Sequence, residues 1–446
     1  MIRIIVIVSL FWVMPIMLSG IGLPGVHGSN AVAEEKKTRR VPALREQTYK
    51  KLAEAQIMID PESMPREEGE PPPEPTGTPQ DAVILLKEML ERRGLNSYEK
   101  AQIWNTLAFA YYTLEDTPNT IHAYEQILAQ GTISEALEQT SLRTLFQLYF
   151  AEEKYAKSIE YIERWEALKG ELDPGVTFIK ATAYFQLKNF SESLKNALLV
   201  EELAIQTETT IKENWWYLQI VIYSELNDYD NIIPVLEKLI LNYPKKQYWM
   251  HLAAIYSEKE MDDKALSVYY AAYQQDMLIR EQELVILSQR MLNAEIPYEA
   301  ASIMEEGFES GIIEENLKNM KLLAMAYTMA QEMDKAIDAW RRATEFAEDG
   351  EVFYRLAQAL SNEDRHKDAV EAYRASLEDR EIKNVSDVQF WLAISLMNLN
   401  EWDEATRVFR ESGKDPKKAK MVNQYIRYIR GEKNRLAELE RMRREG

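Results

Sequence analysis

Residues 248–273 read YWMHLAAIYSEKEMDDKALSVYYAAY. Trp249, Leu252, Ala253 and Tyr256 fall at steps of three, one and three, which puts all four on one helical face. After the polar break SEKEMDD, Ala265, Tyr269 and Ala272 repeat the pattern, so the stretch predicts two short amphipathic helices packed as a hairpin. Ala253 and Ala265 mark where the two backbones approach closely, and the aromatics fill the space around them. One hairpin cannot bury both of its apolar faces, so this spacing asks for neighbours.

The chain supplies them. The frame recurs at Trp104, Leu107, Ala108, Tyr111, at Met320, Leu323, Ala324, Tyr327 and at Phe353, Leu356, Ala357, Leu360. Weaker forms lie around Trp216 and Tyr223 and around Leu392, Ala393 and Leu396. Partner helices follow, with Ile121 and Tyr124, Ala300 and Met304, Ala336 and Trp340, Ala369 and Tyr373, and Ala405 and Phe409. Successive frames start about 33 to 39 residues apart, in phase from about residue 101 to 416. This predicts an all-α solenoid of helix hairpins, and the frame resembles the tetratricopeptide repeat. That resemblance implies a right-handed superhelical solenoid whose first helices line a concave groove. Two hairpins depart from it, because Phe146 and Ile220 stand where the family has a small residue, so they are expected to pack more openly or in another register.

A further repeat is expected at the front, split by an insertion. Tyr49, Leu52 and Ala53 fit a first helix within residues 34–60, and Ala82, Leu86 and Met89 fit a second. Between them residues 61–79 form a Pro/Glu-rich loop, extended and solvated. Thr78 before Pro79 reads as a helix cap followed by proline at the first helical position. The alternative is a linker that joins a stray helix to the array. Residues 80–416 are then the repeat array, and residues 417–446 a capping helix with a basic tail, as an exposed last repeat requires.

Composition narrows the function. The net charge of −20 supplies no excess to neutralise phosphates over most of the surface; the exception is Lys414–Gly446, with 11 basic residues against 5 acidic. The absence of cysteine excludes disulfides, thiolate chemistry, Cys-ligated zinc and a lipid-modified N-terminal cysteine. Residues 1–33 read as an export signal: Arg3, an uncharged apolar run, then Ala31-Val32-Ala33 before EEKK. Cleavage before Glu34 and retention as a membrane anchor are the two outcomes, and either exports the rest of the chain.

No catalytic constellation is legible. His27, His122, His251 and His366 are scattered, and there is no HExxH pair, glycine-rich phosphate loop or Gly-x-Ser-x-Gly elbow. Glu213, ahead of Trp215-Trp216, reads as a helix start. No catalytic residue, cofactor or metal is therefore expected, and an all-helical enzyme would need a convergent carboxylate or histidine site that the spacing does not offer.

What remains is a binding surface. Carried over position by position, the groove pattern gives Asn105, Phe109 and Tyr112 from the first clear repeat, and Phe178, Thr182 and Phe185 from the third. It adds Tyr217 and Ser224, Met250 and Ser257, Lys321 and Thr328, and Tyr354 and Gln358 from later repeats. Aromatics among adaptable polar neighbours suit an extended peptide or a partner helix. The plain alternative is that these residues touch one another and bind nothing.

The stretches RRVPALRE, LNSYEKAQIWN, LRTLFQLYF, ENWW, KKQYWMHLAAIYSE, AAYQQ and LKNMKLLAMAY are similar to exported tetratricopeptide proteins encoded beside TonB, ExbB and ExbD clusters in Gram-negative bacteria. The resemblance implies a periplasmic protein-binding scaffold, accessory to TonB-type uptake of iron complexes or other scarce nutrients. Partners would be envelope proteins such as TonB, ExbB or ExbD components, with membrane contact through the N-terminal segment or the basic tail. A general scaffold for envelope assembly or secretion is the alternative and shares every repeat feature.

Overall fold

The computed structural model describes residues 39, 41–63, 71–347, 350–378 and 382–445. The expected export signal at 1–33 lies outside them, as do residues 64–70 of the inserted loop. Among the described residues all regular structure is helical, and no helix is long and apolar enough to cross a membrane.

The described residues form two compact units, one ending at Glu171 and the other beginning at Leu172. The first holds α1 (Glu46–Ile59), α2 (Pro79–Leu90), α3 (Ser97–Thr113), α4 (Thr117–Leu128), α5 (Glu135–Ala151) and α6 (Tyr155–Lys169). The second begins with α7 (Pro174–Gln186), α8 (Phe190–Gln206), α9 (Glu213–Glu225), α10 (Tyr229–Asn242), α11 (Lys246–Glu258), α12 (Asp262–Gln274), α13 (Glu281–Asn293) and α14 (Pro297–Glu309). It ends with α15 (Leu317–Met329), α16 (Met333–Thr344), α17 (Gly350–Asn362), α18 (His366–Glu378), α19 (Val385–Asn398), α20 (Trp402–Ser412) and α21 (Ala419–Glu445). Within each unit, helices pack on their neighbours in sequence. First helices also meet the next first helix, as α7 meets α9 and α17 meets α19. This is the pattern of stacked helix hairpins.

Small side chains stand at most of the hairpin crossings. Ala253 and Ala265, Ala324 and Ala336, Ala357 and Ala369, and Ala393 and Ala405 are all fully buried. The two exceptional repeats part company. α5 and α6 approach each other about as closely as any pair, contrary to the sequence expectation, whereas α9 and α10 make the sparsest backbone contact of the hairpins from α3 to α20. Ser158, across from Phe146, donates its hydroxyl to the Phe146 carbonyl oxygen at 2.8 Å, and Ile220 and Ile232 are both buried in one apolar cluster.

Each hairpin from α3 to α20 turns through a left-handed residue that is not glycine. Glu115, Glu153, Lys188, Asn227, Glu260, Glu295, Gln331, Asp364 and Asn400 have φ between +56° and +64°. The next amide closes the helix end, as where Asp116 donates to the Tyr111 carbonyl at 2.8 Å and Met261 to that of Tyr256 at 2.8 Å.

At the front, α1 and α2 pack on each other and both pack on α3. Thr78 caps α2 by accepting from the Asp81 amide, with Pro79 at the first position. Ala82, Leu86 and Met89 are buried as their spacing predicts. In α1 the face is turned: Tyr49 is 57% exposed and Ala53 half-buried, while Thr48, Leu52, Ala55 and Ile59 are buried. The cause is the polar anchor at its start. Arg45 bonds Glu99 through Nε at 2.8 Å and Nη2 at 2.5 Å, and Thr48 donates to Glu99 at 2.8 Å. The Glu99 side chain is fully buried. The Arg45 guanidinium above all, then the Asn96 amide and Thr48 hydroxyl, hold its carboxyl at about 2 against the pull of burial.

Candidate partner-binding cleft

The first helix of a hairpin is squeezed from two sides, by its own second helix and by the preceding hairpin, so its buried arc is wide. Ile103, Tyr248, Asn319 and Val352, each one residue before the first frame position, are at most 2% exposed. Trp104, Trp249 and Phe353 at that position are only half-buried.

This width corrects part of the expected groove. Tyr354 is 7% exposed and packs on Tyr373 at 6.1 Å between ring centroids, so it belongs to the core. Phe178 and Phe185 are half-buried and pack against the apolar cluster of Ala181, Ala197, Leu218 and Ile222. Phe178 lies 6.2 Å from Trp215, Phe185 5.6 Å from Phe190, and Thr182 is buried. Asn105, Phe109, Tyr217, Met250, Ser257 and Lys321 are half-buried, while Tyr112, Ser224 and Thr328 are exposed. Tyr217 and Met250 already pack against apolar core. Glu213 is more than a helix start, since its carboxylate takes Lys245 at 2.6 Å and the Tyr248 hydroxyl.

What the second unit brings together is a cleft of about 490 Å³ between α15, α17 and α19. Such a volume lies within the roughly 300–1,000 Å³ of ligand pockets. Met325 and Met329, each 49% exposed, and Trp391, 40% exposed, form its walls. Trp340 and Tyr373, nearly or fully buried, form its floor. Thr328 and Gln358, expected from the sequence, line it together with Arg355, Ser361 and Asn362.

The polar groups are unequally committed. Thr328 donates to the Ala324 carbonyl at 2.7 Å, and Ser361 and Ser395 share a bond at 3.2 Å. Arg355 reaches Glu351 at 3.0 Å and Gln358 at 3.4 Å, both on its own helix, with about half of its side chain in solvent. Met325, Met329, Trp391 and Arg355 were not anticipated. The signal that singled out Phe109 and Tyr112, a large aromatic off the core face, is also present in Trp391, one residue before the frame residue Leu392.

Among the described residues no group of three or more His, Asp or Glu is placed to hold a metal ion. Of the histidines, His122 stacks edge-on to Trp104 at 5.6 Å, and burial lowers the pKa of His251. His366 Nε2 lies 3.0 Å from the Asn398 amide. These are scattered packing positions rather than one site.

Residues 354–419, from within α17 to the start of α21, match the tetratricopeptide repeat family model. No curated protein matches the chain. Among solved structures, a crystal structure of MamA protein is 20% identical, covering 39% of this chain and 93% of that one with a TM-score of 0.33. YrrB, described as a TPR protein with an unusual peptide-binding site, is 18% identical over 43% of this chain and 97% of its own, TM-score 0.35. The TPR2AB-domain:pHSP90 complex of yeast Sti1 is 12% identical over 65% and 98%, TM-score 0.30.

Proposed function

We propose that this tetratricopeptide-repeat chain is a protein-binding scaffold that receives a partner segment in the cleft between α15, α17 and α19. The observation that carries this reading is the exposure of Met325, Met329 and Trp391 over an aromatic floor, a concentration of apolar surface that a free face does not need. Methionine-rich surfaces adapt to the shape of a partner's apolar side chains.

In the same reading the scaffold works in the periplasm as an accessory of a TonB-type energy-transducing system for outer-membrane nutrient uptake. The signal-like residues 1–33 and the resemblance to proteins encoded beside TonB, ExbB and ExbD support it. The N-terminal segment and the basic tail are then the parts that face the membrane. A photo-crosslinking amino acid at position 391, in native cells grown with and without iron, tests both levels. Recovery of TonB, ExbB or ExbD components supports the uptake role. Recovery of assembly or secretion machinery instead would retain the scaffold and discard the TonB assignment, and no crosslinked protein at all would remove the cleft as the binding site.

A further inference from the structure

Arg355 distinguishes this cleft from a merely apolar one. Its guanidinium stands at the rim, 6.0 Å from the Tyr354 ring, and its ion pair with Glu351 joins two partly solvated side chains one turn apart on the same helix. Pairs of that kind contribute little, so a carboxylate delivered by a partner can displace Glu351 at small cost and, once water is excluded, bind the guanidinium more strongly. Below the rim, Met325, Met329 and Trp391 offer apolar walls over Trp340.

We infer that the partner of this cleft is a protein segment that presents one bulky apolar side chain with a carboxylate within about one helical turn of it. The apolar side chain enters between Met329 and Trp391, and the carboxylate meets Arg355. This rests on the scaffold reading above and specifies the chemistry that the scaffold recognises. Basic and proline-rich segments are disfavoured, the first by Arg355 and the second because proline offers a smaller apolar side chain to the walls.

A phage-displayed random peptide library selected on the full chain, and counter-selected on Trp391→Ala, tests the inference. The expected survivors share a Leu, Met, Phe or Trp with a neighbouring Asp or Glu. A synthetic peptide of their consensus should lose about tenfold in affinity on Arg355→Gln. Changing its own carboxylate to an amide should then cost nothing more on that variant. Survivors without an acidic residue, survivors indifferent to Arg355→Gln, or a library that yields no binder would each overturn the inference. Melting of both variants near the parent temperature establishes that the fold is intact. A cellular partner crosslinked at position 391 whose bound segment lacks an acidic residue would sink this inference while leaving the scaffold reading in place.

Discussion

The Ser158 hydroxyl donates to the Phe146 carbonyl oxygen at 2.8 Å, across the hairpin of α5 and α6. The same bond recurs from Ser193 to Ala181 at 2.9 Å, and in reverse from Ser288 to Ala300 at 2.8 Å. Phe146 is tolerated at a position made for a small residue because its partner is small. Ser158→Ile should therefore destabilise the first unit by about 1–3 kcal/mol through overpacking, and Ser158→Ala by only about 1 kcal/mol through the lost bond. Urea denaturation of the two variants separates the effects; equal losses would mean that volume is not what the site controls.

Glu99 makes the first unit sensitive to acid. Its folded pKa is depressed to about 2, so its contribution is fully present above the unfolded value and is lost as pH falls from about 4.5 to about 2. Glu99→Gln should cost about 3 kcal/mol at neutral pH and flatten the acid limb of stability against pH. A parallel acid limb in the variant would place the sensitivity elsewhere.

The left-handed turns offer a stabilising change. Glu153, at φ +57°, has a Cβ in a conformation that strains most L residues, so Glu153→Gly should stabilise by up to about 1 kcal/mol once the flexibility of the unfolded glycine is subtracted. Asn400, at φ +64°, already tolerates that region, and Asn400→Gly should change little. Thermal melts of the pair compare the two directly.

Two tryptophans of one cleft should behave oppositely. Trp340, 6% exposed, is core, and Trp340→Ala should cost about 3–5 kcal/mol. Trp391, 40% exposed, should cost far less on truncation and remove partner binding instead. A Trp391→Ala variant that melts as low as Trp340→Ala would make the cleft a structural feature.

In the opening stretch the order of importance is inverted from a simple reading of its spacing. Tyr248, 2% exposed and bonded to Glu213, should lose more stability as Tyr248→Ala than half-buried Trp249 does as Trp249→Ala, measured by denaturant midpoint.

The repeat frame was legible because small residues at Ala253 and Ala265, and at their counterparts, answer a purely local requirement: two helices joined by a short turn must touch somewhere. Caps such as Thr78 with Pro79 were legible for the same reason, being contained within a few residues. The groove was only partly legible. Thr328 and Gln358 line the cleft, but Tyr354 is buried and Phe178 and Phe185 pack inside, because one helical period cannot tell which of two flanking neighbours covers a side chain.

The sequence by itself determined the class of fold, the phase of its hairpins and the places where paired small residues bring backbones together. Those depend on periodicity and on side-chain size within a single hairpin. Tertiary structure alone decided that α1 turns its face to bring Thr48 to buried Glu99, that the Ser158 hydroxyl reaches the Phe146 carbonyl, and that Met325, Met329, Arg355 and Trp391 meet around one cleft. Each of these joins residues from different helices, and their meeting depends on how successive hairpins stack, which no local spacing encodes.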